Sequence, residues 1–385
     1  MVTRAEAVAS ALTTSTRHTL ARLDSASAFA QWSGARQYEN PSLATSYSGA
    51  APQAHFMLDV PIDWPGQRAS RIAASRALLG AATVRLWLAD ALLAFDTDTA
   101  YTRGQALDAQ ARLLVLTAHD ADSLVTLVRV RRDAGDASDL DVEIATVAAA
   151  QSANIALTAL AGAASATLRV QLLMGISPES LLIALADSIE WTPSRLSDAR
   201  RMPRVTGAGQ AVSVAAATLD VRAAAEQERL ERRRRLGSPA ITVGVEAINP
   251  GGPGGLLPLV GLSLPLPLFN RNQAAIAQAQ ADLQRSRALL AQAELVQQTA
   301  VRVAQNDAVA ARTRAERSLR LLAAAERINA LSLLAYREGA TTLVTVLEAQ
   351  RTTRDARVQS LDDLAAVQIA DRVLQLLSLR IPAVQ

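Results

Sequence analysis

The sequence contains no cysteine, no lysine and few aromatic residues. Without cysteine, the chain has no disulfide, no cysteine-ligated metal site and no lipid anchor on cysteine. All 39 basic residues are arginine, and acidic residues nearly balance them, so the net charge is only +3. An aromatic content of 3%, together with abundant alanine, favours closely packed helices over a bulky globular core.

Signs of catalysis and of nucleic-acid binding are also missing. The histidines His18, His55 and His119 stand apart from one another, and none has a cysteine or a second histidine at metal-binding spacing. No glycine-rich phosphate loop follows a strand. The dense basic run at 232–235 suits a solvated helix C-terminus, and it lacks the interleaved aromatics of a nucleic-acid site. The sequence therefore predicts no enzyme, no cofactor, no metal site and no nucleic-acid partner.

Long apolar runs are absent as well. No segment approaches eighteen consecutive apolar residues, so the sequence predicts no transmembrane helix. Residues 1–20 include Arg4, Glu6 and Arg17 and have no apolar core, so no export signal is recognisable.

Glycine and proline are missing from one long stretch, Gln273 to Glu338. A helix over this stretch is about 100 Å long at about 1.5 Å per residue. A second long helix is predicted over about 68–134, which has no internal proline. Apolar residues repeat there every seven positions, as in a coiled-coil seam: Ile72, Leu79, Leu86, Leu93, Ala100, Leu107, Leu114, Ala121 and Val128.

Two hairpins of strands precede these helices, at about 42–63 and 240–268. Side chains alternate between apolar and small or polar types along them, which is the period of a strand with two different environments. The first hairpin turns at 49–53 and the second at 249–255, which is rich in glycine and proline. The predicted fold is mainly helical with a small β part.

The two halves of the chain are internal copies. A constant offset of 204 relates Pro61 to Pro265 and Gly135 to Gly339, and it also relates the apolar strand faces. We therefore predict a first repeat at 1–175, a connector at 176–200 and a second repeat at 201–385. Each repeat consists of a helix, a hairpin, a long helix and a further helix.

Four strands per chain cannot form a closed sheet. In lipid every strand edge must be paired, so a membrane barrel needs strands from at least two chains. Strands of about nine residues match the span of a transmembrane strand. The alternative is a soluble coiled-coil scaffold or adaptor, which would leave the apolar strand faces unburied.

The chain resembles the outer membrane efflux proteins, the TolC-like channels, over nearly its whole length. The segment at 264–273, with the sequence LPLPLFNRNQ, is the most specific and is similar to the CzcC-like proteins of heavy-metal efflux. Further motifs are at 40–43 (NPSL), 60–63 (VPID), 66–68 (GQR), 336–340 (YREGA) and 346–351 (VLEAQR). The missing export signal departs from the family, and a misassigned start or a trimmed chain is the expected reason.

The resemblance implies a homotrimer with a twelve-stranded barrel in the outer membrane and a helical tunnel, an α-barrel, across the periplasm. Its implied partners are a periplasmic membrane fusion (adaptor) protein and an inner membrane pump of the resistance-nodulation-division type. Its implied function is a passive exit duct, with heavy-metal cations as the expected cargo. Drugs or secreted proteins remain alternative cargoes.

Candidate functional residues lie where each long helix ends. Gly135 and Gly339 suit tight turns between helices, and with Ala340 they form the predicted adaptor-docking tips. By resemblance, Tyr336 and Asp141 are candidates for a lock between helices. Glu348 matches an acidic constriction, with an exposed helix face as the equal alternative; three carboxylates around an axis would favour cations.

Overall fold

The computed structural model describes residues 1–49, 54–186, 209–236, 238–247 and 255–381. Most of both predicted turns, 49–53 and 249–255, and residues 187–200 of the predicted connector lie outside these ranges. The helices are α1 Arg4–Thr14, α2 Thr16–Ala35, α3 Gln67–Asp133, α4 Asp139–Met174, α5 Val212–Arg233, α6 Gln273–Arg337 and α7 Leu343–Ser378. The strands are β1 Ser42–Tyr47, β2 Ala54–Pro61, β3 Gln210–Ala211, β4 Ala240–Ala247, β5 Leu256–Ser263 and β6 Arg380–Ile381.

The long helices agree with the sequence prediction. Helix α3 has 67 residues and α6 has 65. Every position of the predicted seven-residue stripe on α3 is buried or half-buried, and Val128 is fully buried. The stripe is therefore a packing seam, because side chains three and four apart lie on one helix face.

Four of the strands form an antiparallel sheet in the order β1-β2-β4-β5. The two hairpins join through β2 and β4, where Leu58 pairs with Val243. Strand β5 ends at Ser263, so the predicted extension of the second hairpin to 268 is wrong. Pro265 and Pro267 have no backbone N–H to donate to a neighbouring strand, which ends the pairing there.

Two compact units make up the chain. We call Met1–Leu20, Ala89–Ala211 and Gln297–Pro382 the helical unit, and Ala21–Leu88 with Val212–Val296 the main part of the strand unit. The long helices α3 and α6 contribute to both. Since each unit takes segments from both predicted repeats, this division is not a test of the duplication, which stays a prediction.

Small side chains fill the core of the helical unit. Ala304 and Ala308 of α6 pack against Leu374 of α7, and Ala311 and Ala315 pack in the same way one turn further on. Alanine side chains let the helix backbones approach closely, so this core has little room for aromatic residues. A two-stranded sheet of β3 and β6 lies in the same unit.

Among the described residues, two helices are apolar enough to cross a membrane by length and composition. Each of α3 and α4 contains a window of mean hydropathy above 1.2 with few charges, and 17% of each window is buried. The search for uninterrupted apolar runs missed these windows, since scattered polar residues break every run. Core helices of soluble proteins pass the same test, so the finding alone does not make α3 or α4 a membrane span.

Candidate functional site

Two glycine turns form the predicted tips, and both belong to the helical unit. Gly135 ends α3 with φ of 85°, and Gly339 ends α6 with φ of 73°. Gly135 N–H donates to the Arg132 carbonyl (2.9 Å), and the next N–H reaches back to Arg131. Gly339 repeats this pattern, with Ala340 N–H donating to the Ala335 carbonyl at 2.8 Å. Each is a Schellman turn, which needs the left-handed conformation that glycine adopts freely.

Four helix ends meet in one apolar cluster beside these turns. The cluster contains residues from the end of α3, the start of α4, the end of α6 and the start of α7: Ala121, Leu124, Val125, Val128, Val142, Ala145, Ala149, Tyr336, Leu343 and Val346. The turns themselves, at Gly135, Gly339 and Ala340, are exposed. A buried base therefore holds two exposed turns, which is a rigid way to present them to a partner.

Arg131 connects the two turns directly. Its Nη1 donates to the Tyr336 carbonyl, and its guanidinium lies 4.6 Å from the centre of the Tyr336 ring. One side chain of α3 thus makes a charge-assisted hydrogen bond and a cation–π contact with the end of α6. Sequence reasoning missed Arg131. The sequence did contain a signal for this contact. Arg131 lies four residues before Gly135, and Tyr336 lies three residues before Gly339, so both are in the last turn before a glycine.

Tyr336 is buried, with 5% of its surface exposed. Burial raises the pKa of its phenol; Arg131 opposes the shift and Asp141 adds to it. Within the described residues, no hydrogen bond joins the Tyr336 hydroxyl to Asp141. Tyr336 and Asp141 thus lie at the same group of helix ends, and their role in a lock between neighbouring helices stays a prediction.

Asp141 instead caps its own helix. Its carboxylate accepts hydrogen bonds from the Ser138 N–H (2.9 Å) and hydroxyl (2.8 Å), and its N–H donates back to Ser138 Oγ. This reciprocal pair is a capping box at the start of α4. The backbone hydrogen bond from Ser138, and then the one from its side chain, holds the pKa of Asp141 below the ordinary value.

Glu348 lies on the exposed side of α7, between the buried residues Val346 and Ala349. Among the described residues it has neither a hydrogen bond nor an ion pair. The helix thus buries one face in the apolar cluster and presents a free carboxylate on the other. This placement is compatible with both alternatives for Glu348, a plain solvated face and a ring formed with other copies.

The strand unit carries the second candidate surface, an exposed apolar face on the four-stranded sheet. Register places Phe56 opposite Val245, Leu58 opposite Val243 and Val60 opposite Ile241. The face continues to the edge strands, and all of these members are exposed: Leu43, Tyr47, Phe56, Leu58, Val60, Ile241, Val243, Val245, Val260 and Leu262. An exposed apolar patch that crosses four strands marks a surface that contacts lipid or protein.

Polar groups line the opposite face of the same sheet. His55 Nδ1 lies 3.2 Å from Glu246 Oε1, and Thr242 donates a hydrogen bond to Asp59. Both contacts join β2 to β4 and hence one hairpin to the other. This face therefore carries the polar contacts between the hairpins, together with the apolar side chains of Met57, Leu257 and Leu259.

Several solved structures share this fold, and three of them come from different bacteria. A membrane protein from Pseudomonas aeruginosa is 20% identical, with a TM-score of 0.79 over 97% of this chain and 93% of that one. The outer membrane protein VceC of Vibrio cholerae is 16% identical, with a TM-score of 0.75 over 97% and 96%. The CmeC outer membrane channel of Campylobacter jejuni is 13% identical, with a TM-score of 0.80 over 97% and 85%.

The chain therefore has the fold of these membrane proteins, mainly helical with small sheets. This confirms the fold class expected from the sequence. No family model matches the sequence. No curated protein matches it either.

Proposed function

We propose that the protein is the outer membrane channel of a tripartite efflux system, a passive duct from the periplasm to the exterior. The observation that carries the proposal is the exposed apolar face across β1, β2, β4 and β5, on a chain with the fold of outer membrane channels. A sheet with free outer edges cannot stay in lipid alone. Three copies would supply twelve strands, enough to close a barrel.

The helical unit supports the proposed partners. The turns at Gly135, Gly339 and Ala340 are exposed and rest on a buried base, so they can be gripped without unfolding. Leu140, next to the first turn, is 67% exposed and offers an apolar contact. We assign this surface to docking of a periplasmic adaptor, through which an inner membrane pump supplies the energy.

The gate of the resting channel belongs, in this proposal, to the same helix ends. Arg131 holds Tyr336 and thereby ties α3 to α6, while Asp141 fixes the start of α4. Glu348 would form a ring of three carboxylates facing the axis. Opening then requires the contacts of Arg131 to break, because α6 cannot move away from α3 while they persist.

Heavy-metal cations are the proposed cargo, supported by the similarity of residues 264–273 to the CzcC-like proteins. Drugs or secreted proteins through the same duct are the second candidate. Deleting the gene and measuring resistance to metals and to drugs separates them: loss of metal tolerance alone supports the first cargo, and loss of drug tolerance alone supports the second.

A detergent test decides between the duct and a soluble scaffold. The channel should be a trimer by mass measurement in detergent, should aggregate without it, and should conduct ions in planar bilayers. A stable monomer in water without detergent would contradict the proposal and would favour a coiled-coil scaffold.

A further inference from the structure

We propose that an arginine-lined cavity in the strand unit binds the headgroup of a phosphatidylglycerol-type anionic phospholipid. The proposal rests on the proposed membrane location of the sheet, and it adds a lipid site to that function. The cavity has a volume of about 560 Å³ and is lined by Trp64, Pro65, Gln67, Arg232, Arg233, Arg235, Pro267 and Arg271. Its size is within the range of small-molecule sites, ~300–1,000 Å³. We call it the arginine cavity.

Most of the positive charge around the arginine cavity is not compensated. Arg232 pairs with Glu228 at 2.7 Å. In the described part of the chain, however, Arg233, Arg235 and Arg271 have no carboxylate partner. Backbone carbonyls orient two of the three instead, since Arg233 donates to Pro65 (3.4 Å) and Arg271 to Pro267 (3.3 Å). Guanidinium groups held in this way suit the oxygens of a phosphate.

The backbone is arranged to bring these like charges together. Asn272 has φ of 61°, an uncommon conformation for a residue other than glycine. From there its side chain donates to the Glu231 carbonyl (3.0 Å) and carboxylate (2.9 Å). These bonds fasten the start of α6 to the end of α5, which places Arg271 beside the arginines of α5. An anion between them would relieve the repulsion.

Gly66 contributes the close approach on the other side. A Cβ there would lie 2.1 Å from Nη1 of Arg233, the end of a flexible side chain, and the φ of 82° is what favours glycine at this position. Neighbouring arginines, a left-handed asparagine and a glycine of positive φ therefore coincide at one cavity. Local strain of this kind concentrates where a ligand is held.

Gln67 adds a buried acceptor that lacks a partner. Its side chain is 7% exposed, and its Oε1 has no hydrogen-bond partner among the described residues. A buried polar atom of this kind calls for a ligand group that donates, such as a hydroxyl of a glycerol headgroup. Gln67 is also the first residue of α3, and the amino end of a helix favours a nearby anion.

Apolar side chains next to the arginine cavity favour a lipid over free phosphate. Pro267 lines the cavity within the segment 264–269, whose residues Leu264, Leu266, Leu268 and Phe269 are exposed, the last by 96%. This line continues the apolar face of β5 beyond its last paired residue. Acyl chains can lie along it while the headgroup occupies the cavity. Trp64 in the cavity wall and the exposed Phe269 are residue types that suit a membrane interface.

The test is lipid binding to the detergent-purified trimer, followed by native mass spectrometry with phosphatidylglycerol, phosphatidylethanolamine or inorganic phosphate. Wild type should retain phosphatidylglycerol preferentially. The double variant Arg235→Gln/Arg271→Gln should bind it roughly tenfold more weakly or worse, since each lost guanidinium removes a charge-assisted hydrogen bond. The matched control Arg76→Gln/Arg285→Gln removes two exposed arginines of the same unit outside the cavity, and it should bind like wild type.

Equal retention by the double variant and wild type would overturn the proposal. Displacement of the lipid by an equal concentration of inorganic phosphate would overturn the assignment to a lipid. Measuring the conductance of wild type in bilayers without anionic lipid tests the channel function separately from the lipid site. If wild type conducts in bilayers without anionic lipid but binds all the lipids equally well, the lipid-site proposal is wrong and the channel function stands. If it never conducts in any bilayer, the channel function fails.

Discussion

Arg131 is the residue whose loss should most directly alter the proposed resting state. Changing Arg131 to Gln removes its cation–π contact with Tyr336 and its charged hydrogen bond. These contribute about 1 kcal/mol and about 1.5–3 kcal/mol respectively. Because about 1.4 kcal/mol corresponds to a tenfold change in an equilibrium, the open fraction should rise at least severalfold. Single-channel recording in planar bilayers measures it.

Tyr336→Phe is the matched control for this prediction. The phenylalanine keeps the ring and the backbone carbonyl that Arg131 uses, and among the described residues the lost hydroxyl has no bond to Asp141. The open fraction should therefore stay close to wild type. A large opening effect of Tyr336→Phe with none from Arg131→Gln would locate the lock at the hydroxyl instead.

The capping box at Asp141 predicts a pH dependence. The pKa of Asp141 in the fold lies below the ordinary value of 3.8. The ionised Asp141 carboxylate therefore contributes its full stabilisation of the fold above pH 3.8. This contribution is lost as the pH falls through the lower pKa of the folded state. Asp141→Asn should lower the melting temperature at pH 7, by the equivalent of about 1 kcal/mol for a cap. The difference from wild type should shrink below pH 3.8.

A neighbouring carboxylate provides the control for the Asp141 prediction. Glu143 is an exposed residue of the same helix and belongs to no capping box. Glu143→Gln should leave the melting temperature nearly unchanged at both pH values. If the difference in melting temperature between Asp141→Asn and wild type stays constant with pH, the carboxylate does not act through its charge.

At the scale of elements, the turns after α3 and α6 should tolerate no β-branched residue. Gly339→Val forces a left-handed conformation that costs about 1–2 kcal/mol in a residue with a Cβ. The nearest atom to a new Cβ is 3.8 Å away, so the cost is in the backbone and not in a clash. We expect weaker crosslinking to the adaptor with the barrel still assembled. Gly162→Ala, inside α4 with open space around it, should be neutral or stabilising.

Unchanged crosslinking and unchanged metal tolerance in Gly339→Val would contradict the docking assignment. If Gly162→Ala reduced crosslinking as much as Gly339→Val, the loss would reflect a general decrease in stability and would not support the docking assignment.

The two faces of β2 give a further prediction at this scale. Leu58 belongs to the apolar face, and the adjacent Met57 belongs to the polar face with His55 and Asp59. An arginine on a lipid face costs about 2–4 kcal/mol at mid-membrane depth, whereas one facing water costs much less. Leu58→Arg should therefore reduce the amount of assembled trimer in membranes severalfold more than Met57→Arg. Equal losses in the two variants would show that both faces meet the same environment.

Periodicity in the sequence was enough to predict the long helices, because a missing proline and a seven-residue stripe are both local signals. The end of β5 was harder to predict. Leu264, Leu266 and Leu268 continue the apolar alternation of the strand, which predicts a strand as far as 268. Pro265 and Pro267 lack the backbone N–H that strand pairing needs, so the paired strand ends earlier. Arg131 and the arginine cavity escaped the prediction because residues far apart in sequence create them. Only the tertiary structure brings Arg271 beside Arg235, or Arg131 onto Tyr336.

For the whole molecule, the proposed duct depends on groups that a single chain leaves exposed. The sheet has free outer edges on β1 and β5, and its apolar face is uncovered. Most residues in the apolar windows of α3 and α4 are not buried in a single chain either. Assembly of three copies within a membrane would pair the edges and cover these surfaces, which explains why a chain rich in alanine carries so many exposed apolar residues.

Glu348 gives a prediction that holds only for the assembled trimer. It is exposed and unpaired in the described part of one chain, nine residues beyond Gly339, which places it about 13 Å from the turn along α7 at about 1.5 Å per residue. Three such carboxylates around an axis would attract cations. Glu348→Gln should lower the cation selectivity of the channel, measured as a reversal potential in a salt gradient, with little change in melting temperature.

The effect of Glu348→Gln should also weaken as salt is raised, because mobile ions screen charges beyond about 10 Å at 0.1 M. Glu338→Gln is the matched control, since this exposed carboxylate precedes the turn at Gly339 and is not assigned to the ring. It should leave selectivity unchanged. If Glu348→Gln also leaves selectivity unchanged at low salt, Glu348 lies on a solvated outer face, and the constriction of the channel is formed by other residues.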